Sequence, residues 1–186
     1  GQHIYPEFVH TEGITKIKLS DVKLAENLGG VIKLIGYTEK LKNDKLKVLV
    51  APFVVMDENP LSNVEDVFNG ILVDGNATGE VMFYGKGAGK LPTASAVVAD
   101  VIDAAKHMDL RKYESWEYIS KDESASLIED IGEYEFKYMI RVNTNDLQNV
   151  KDLCENLFGS LSQINCDDLE KDIFAFVTDK LKEKKF

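Results

Sequence analysis

The residue pattern predicts an α+β fold: a mostly antiparallel or mixed sheet with helices on one face, followed by a compact βαββ unit. Three observations carry this. Short runs rich in valine and isoleucine, at 31–37, 46–56 and 67–73, have strand length and are bounded by polar turns. Two apolar sets have helical spacing: Val22, Ala25, Leu28, and then Val97, Val98, Val101, Ile102, Ala105. The resulting order of helix, strand, strand and hairpin segregates helices from a largely antiparallel sheet.

Taken along the chain, Tyr5 to Lys18 reads as strand or extended loop, and Ser20 as the N-cap of a short helix ended by Gly29-Gly30. Val31 to Tyr37 is a strand and Lys42 to Lys45 a turn. Leu46 to Met56 is apolar almost throughout, so it is expected to be covered on both faces. Pro52 lacks a donor and predicts a bulge or an unpaired edge there. After the break at Asn59-Pro60, Val67 to Val73 and Glu80 to Tyr84 form a hairpin around Asp74 to Gly79. Gly85 to Leu91 is glycine-rich, and Pro92-Thr93 opens the longest helix, which runs to about Met108. Asp109 to Gly132, which holds Trp116, reads as a linker with some local structure. Tyr134 to Val142 is then a strand, and Leu147, Val150, Leu153, Cys154 and Leu157 mark a helix. Ser160 to Cys166 and Ile173 to Val177 are strands, and Lys182 to Phe186 the start of another helix. A boundary near residue 125 divides the chain into 1–124 and 125–186.

Bulk composition narrows the function classes. With 44% apolar and 29% charged residues, the chain is an ordinary globular protein. No run of eighteen apolar residues suggests a membrane span, and the first residues do not resemble a signal peptide. A formal charge of −10 disfavours nucleic acid as partner. The cluster Lys180, Lys182, Lys184 and Lys185 contains Glu183 and reads as a solvated helix face. Cys154 and Cys166 lack CxxC spacing, which suits reduced thiols and the cytoplasm. His3, His10 and His107 lie too far apart to predict a metal site.

The segment that carries chemistry is Gly85-Lys86-Gly87-Ala88-Gly89-Lys90-Leu91-Pro92-Thr93-Ala94-Ser95-Ala96. Glycines let backbone amides approach a ligand, and a helix N-terminus adds unpaired N–H groups. The spacing is not a Walker loop, because Tyr84 and Leu91 occupy required Gly and Ser/Thr positions. Nor is it a Rossmann fingerprint, since Lys90 stands at the third glycine. Spacing alone leaves a binding loop and a plain strand-to-helix connection capped by Thr93 equally open.

The run GNATGEVMFYGKGAGKLPTASAVVAD, from Gly75 to Asp100, closely resembles the homoserine dehydrogenase signature. Glu12-Gly13-Ile14, Ile32-Lys33-Leu34, Val50-Ala51-Pro52, Pro60-Leu61-Ser62-Asn63-Val64 and Phe68-Asn69 are similar to further family stretches, in the right order over residues 8–108. The resemblance implies the NAD- or NADP-dependent interconversion of L-aspartate 4-semialdehyde and L-homoserine, on the route to threonine, methionine and isoleucine. It implies Gly87, Ala88 and Gly89 as cofactor contacts near the nicotinamide, with Thr93 and Ser95 beside them. Glu12 and Lys33 are substrate-side candidates. Lys86 departs from the small residue common in the family, which puts a cation near the cofactor or in water.

The resemblance further implies a partner: the family's N-terminal nucleotide-binding domain, on which the helix after the glycines packs. Family members carry their catalytic Asp and Lys ahead of the EGI segment, and no residue here aligns with them. No catalytic residue is therefore assigned, and the chain alone is expected to be inactive. A homodimer through the sheet is expected. The 125–186 tail is similar to the beginning of a ferredoxin-like ACT domain, with Phe176-Val177-Thr178-Asp179 and Lys182-Glu183 at matching positions. Asn143 to Asn149 lacks that family's Pro-Gly, and the last helix and strand of the unit have no counterpart, so a complete threonine pocket is not expected. The alternative is a stand-alone regulatory or assembly module without catalysis.

Overall fold

The structure, a computed structural model, describes residues 3–108, 119–166 and 172–185. A 3-10 turn at Pro6–Phe8 precedes β1 (His10–Thr11), α1 (Leu19–Asn27), β2 (Gly30–Lys40) and β3 (Leu46–Met56). After a 3-10 turn at Pro60–Asn63 come β4 (Phe68–Gly75), β5 (Gly79–Lys86) and α2 (Lys90–Lys106). Next are α3 (Lys121–Leu127), a 3-10 turn at Ile131–Glu133, β6 (Glu135–Phe136) and β7 (Met139–Asn143). α4 (Leu147–Phe158), β8 (Leu161–Gln163), β9 (Ile173–Thr178) and β10 (Leu181–Lys182) end in a 3-10 turn at Glu183–Lys185. The fold is α+β. Two compact units form, one from the described residues of Asp57–Glu117, the other from those of Gln2–Met56 and Tyr118–Phe186.

In the larger unit β1-β3-β2 make a sheet, β1 parallel and β2 antiparallel to the central strand. The β2–β3 register runs unbroken through Leu34↔Pro52, so the predicted bulge is absent. The edge expectation fares better: β1 stops at Thr11 opposite Val50, and β3 has no second neighbour at Pro52 among the described residues. Nor is Ser20 the cap of α1. The helix starts at Leu19, because the Asp21 carboxylate accepts the Lys18 N–H at 2.8 Å and fixes the first turn one step earlier.

The β7-β9-β8 sheet holds the densest packing. Phe174 and Phe176 face α4 through Cys154, while Ala175, one residue out of phase, faces Leu24 of α1 with Ile164. The central strand is thus covered on both faces. Burial raises the Cys154 thiol pKa, which suits an inert core thiol. An ion pair reinforces the α1 contact, with Arg141 Nε donating to Asp21 Oδ1 at 2.6 Å.

The predicted linker contains structure. Its residues 109–118, Trp116 among them, lie outside the described residues. Beyond these, Ser120 and Glu123 form a reciprocal capping box that starts α3. Ser124 on that helix accepts the Tyr5 N–H and donates to the His3 carbonyl, tying it to the start of the chain. Among the described residues, the predicted final helix is reduced to the 3-10 turn at Glu183–Lys185. Leu181–Lys182 pair with β6, and Glu133 binds both Lys182 and Lys184, which holds its carboxyl down at about 2. These contacts hold Leu181 and Lys182 along β6, so the chain winds only from Glu183.

The smaller unit is a hairpin and a helix. β4 and β5 pair through eight rungs from Phe68↔Lys86 to Gly75↔Gly79, with Gly79 turning at φ 67°. Met82, Val64 and Leu61 pack on Gly70, covering one face. The other face, with Ile71, Val73, Val81 and Phe83, is exposed, as are Val97, Val98, Val101 and Ile102 of α2. No described helix is long and apolar enough to cross a membrane.

Candidate functional site

The site builds from the hairpin outward. β5 leaves the ladder at Lys86 and α2 begins at Lys90, so Gly87, Ala88 and Gly89 alone turn the chain. The two glycines answer different demands. Gly89 is the residue before α2 and sits at φ 120°, ψ 153°, a region that side chains avoid. Gly87 has an ordinary backbone, but a Cβ there would lie 2.2 Å from Nδ2 and 2.8 Å from Cγ of Asn69. Gly89 is required by conformation, whereas a side chain at Gly87 would have to displace the exposed Asn69 carboxamide.

All three bend residues are exposed, as are Thr93 and Ser95 in the first turns of α2. Thr93 is not the helix cap: its N–H already donates to the Gly89 carbonyl at 3.1 Å, inside the helix. A thin, solvent-facing bend that leads into a 17-residue helix can admit a flat or anionic group against backbone. Lys86 is exposed. It stands opposite Phe68 in the ladder, its Nζ 5.6 Å from that ring, and Phe68 stacks on Tyr84 at 4.8 Å and 5°.

Sequence reasoning missed Asn69. It faces Gly85 across the hairpin, and its exposed carboxamide makes no hydrogen bond among the described residues. The predicted strands, Val67 to Val73 and Glu80 to Tyr84, stop short of Gly85, so only the observed register brings Asn69 beside the bend.

Glu12 and Lys33 belong to the larger unit. Glu12 Oε1 lies 2.8 Å from His10 Nε2, and both line a cleft of about 1050 Å³ walled by Ile32, Leu49 and Phe53. Lys33 is half-buried on β2 opposite Phe53 and outside that lining. In the tail, the positions singled out by resemblance serve the fold. Thr178 accepts the Tyr138 N–H and donates to the Asp179 carbonyl. Tyr138 donates its hydroxyl to Glu183, and burial, together with that carboxylate, drives the phenol pKa well up. Among the described residues no group of His, Cys, Asp or Glu could hold a metal ion.

These features, an α+β scaffold with an exposed glycine bend feeding a long helix, have close counterparts among known proteins. The family model described as homoserine dehydrogenase matches residues 1–102. The chain belongs to the homoserine dehydrogenase family. It is 42% identical over 104 residues to the homoserine dehydrogenase of Bacillus subtilis, covering 56% of this chain and 24% of that one. With the Corynebacterium glutamicum homoserine dehydrogenase, identity is 35% over 156 residues, covering 81% and 34%. The crystal structure of a homoserine dehydrogenase from Thiobacillus denitrificans superposes with a TM-score of 0.75 at 27% identity, covering 96% of this chain and 42% of that one. The S. aureus homoserine dehydrogenase at pH 7.0 gives 0.69 at 30%, covering 97% and 43%. The chain therefore spans about a quarter to a third of these curated relatives and about two fifths of the solved chains.

Proposed function

We propose that the chain is the substrate-side and assembly portion of an NAD- or NADP-dependent homoserine dehydrogenase. That enzyme interconverts L-aspartate 4-semialdehyde and L-homoserine in the cytoplasm, on the route to threonine, methionine and isoleucine. The observation that carries the reading is the bend itself: Gly89 sits where side chains are strained, Gly87 lies against Asn69, and the residues around them are exposed. In the proposal Gly87, Ala88 and Gly89 lie against the nicotinamide end of the cofactor, with Thr93 and Ser95 on the adjoining turns. The bound cofactor supplies the hydride, and the chain's own residues shape and orient its surroundings. Glu12 and Lys33 are the substrate-side candidates.

The exposed apolar stripe of α2 fits a cover of the same character, which the proposal assigns to a nucleotide-binding domain. Ile71 and Phe83 of the hairpin, each 63% exposed, suit the sheet as a surface for a second copy. Residues 125–186 are proposed as the partial ACT-like regulatory part, and 1–124 as the enzyme part. The chain alone is inactive in this reading.

The test joins the whole of the Bacillus subtilis relative that precedes its EGI segment, nucleotide-binding domain and catalytic Asp and Lys included, ahead of this chain and follows homoserine-dependent reduction of NADP. Turnover by the joined protein, with none from the chain alone, is the expected result. A folded joined protein without turnover would favour the assembly reading instead.

A further inference from the structure

We infer that the Asn69 carboxamide reads the carboxamide of the cofactor's nicotinamide ring; the inference rests on the cofactor reading of the glycine bend. Asn69 lies on β4 opposite Gly85, with its amide against Gly87 so closely that no Cβ could stand between them. The side chain is exposed, and neither its NH2 nor its carbonyl is hydrogen-bonded to protein among the described residues, which leaves the amide open to a ligand in place of water. Gly85 leaves the space beside it open, with no atom within 4 Å of where its Cβ would be.

The chemistry of the group selects its partner. A primary amide donates and accepts in one plane, so another primary amide satisfies both halves at once. A carboxylate or phosphate oxygen satisfies only the donor half. Among the reactants of the proposed reaction, neither homoserine nor aspartate semialdehyde carries an amide, whereas the nicotinamide ring does. Gly87 acquires a second purpose on this view. Any larger residue would push Asn69 off the plane in which it meets the ring.

The experiment uses the complete enzyme carrying this chain and titration calorimetry with two probes. One is the natural reduced cofactor. The other is its 3-acetylpyridine analogue, in which a methyl group replaces the carboxamide NH2. The unsubstituted enzyme is expected to bind the natural cofactor about three- to tenfold more tightly than the analogue, the size of one hydrogen bond. Asn69→Ala should bring that ratio close to one. Asn69→Asp, which keeps an acceptor for the ring NH2, should retain the preference while binding both probes more weakly. A ratio unmoved by Asn69→Ala overturns the inference. Gly89→Val separates the two claims: if it leaves affinity for both probes intact, the cofactor reading of the bend fails. If it weakens both while Asn69→Ala leaves the ratio alone, only the role of Asn69 falls. Melting curves of each variant confirm that the fold survives.

Discussion

At the scale of single residues, the two bend glycines look alike in sequence and differ in physics. Gly89 needs its backbone region, so Gly89→Ala should cost the chain about 1–3 kcal/mol whatever surrounds it. Gly87 needs only room, and the atoms in its way belong to one side chain. Gly87→Ala should therefore destabilise the chain alone but cost almost nothing once Asn69→Ala has cleared the space. Urea denaturation of the two single variants and the double variant measures this, and additive costs would refute it. The glycine-alanine-glycine run was legible because it is contiguous. The division of labour was not, because it depends on a residue eighteen positions earlier that only the hairpin brings alongside. Tyr134 was invisible for the same reason: 1% exposed, its hydroxyl accepts the Val48 N–H of β3 at 2.9 Å. Tyr134→Phe leaves that donor unpaired and should lower stability by about 1–3 kcal/mol in the same assay.

At the scale of elements, apolar periodicity located α1, α2 and α4 but not the short α3, and competition among polar groups decided where helices begin and end. Ser20 looked like a cap by type, but Asp21 holds the Lys18 N–H and starts α1 earlier. The basic tail read as helix from its composition, yet Glu133 and β6 claim it first. Asp21 does a second job, since it also binds Arg141 of β7. Burial alone would raise its pKa; the hydrogen bonds from Arg141 and the Lys18 N–H outweigh that and hold it below the ordinary 3.8. A carboxyl lowered on folding contributes stability above its unfolded pKa, and that contribution fades as pH falls through the folded value. The contact between α1 and β7 should thus be intact at neutral pH and weaken below about pH 4. Comparing urea midpoints at pH 7 and pH 3 for the natural chain and Asp21→Asn tests this. The variant should be less stable at pH 7, with the gap narrowing at pH 3. A gap independent of pH would show that the charge contributes nothing.

At the scale of the molecule, local pattern gave most of the strand and helix order, missing α3, β10 and the break between β6 and β7, but it did not give the grouping of elements. Nothing in a periodicity says that α1, near the start, covers the outer face of a sheet formed by the tail. That contact is made by Leu24, which is 0% exposed, against Ala175 and Ile164. Further ties bind the same two stretches: Ile128 bridges Leu46 on β3, Glu129 pairs with Lys45, and Tyr134 meets Val48. The division at residue 125 proposed on function is consequently not a division in folding. Each side supplies apolar surface that the other buries, and burial of that surface is the main force holding either in place. Cutting the chain there should leave both pieces deficient. Residues 1–124 made alone should expose Leu24 and Leu28 of α1, bind a hydrophobic dye and melt without a sharp transition. Residues 125–186 alone should expose Ala175 and the outer face of β9 and behave likewise. Mixing the pieces should restore dye exclusion and cooperative melting. Sharp, independent transitions from the separate halves would mean that α1 is a spectator on the tail sheet.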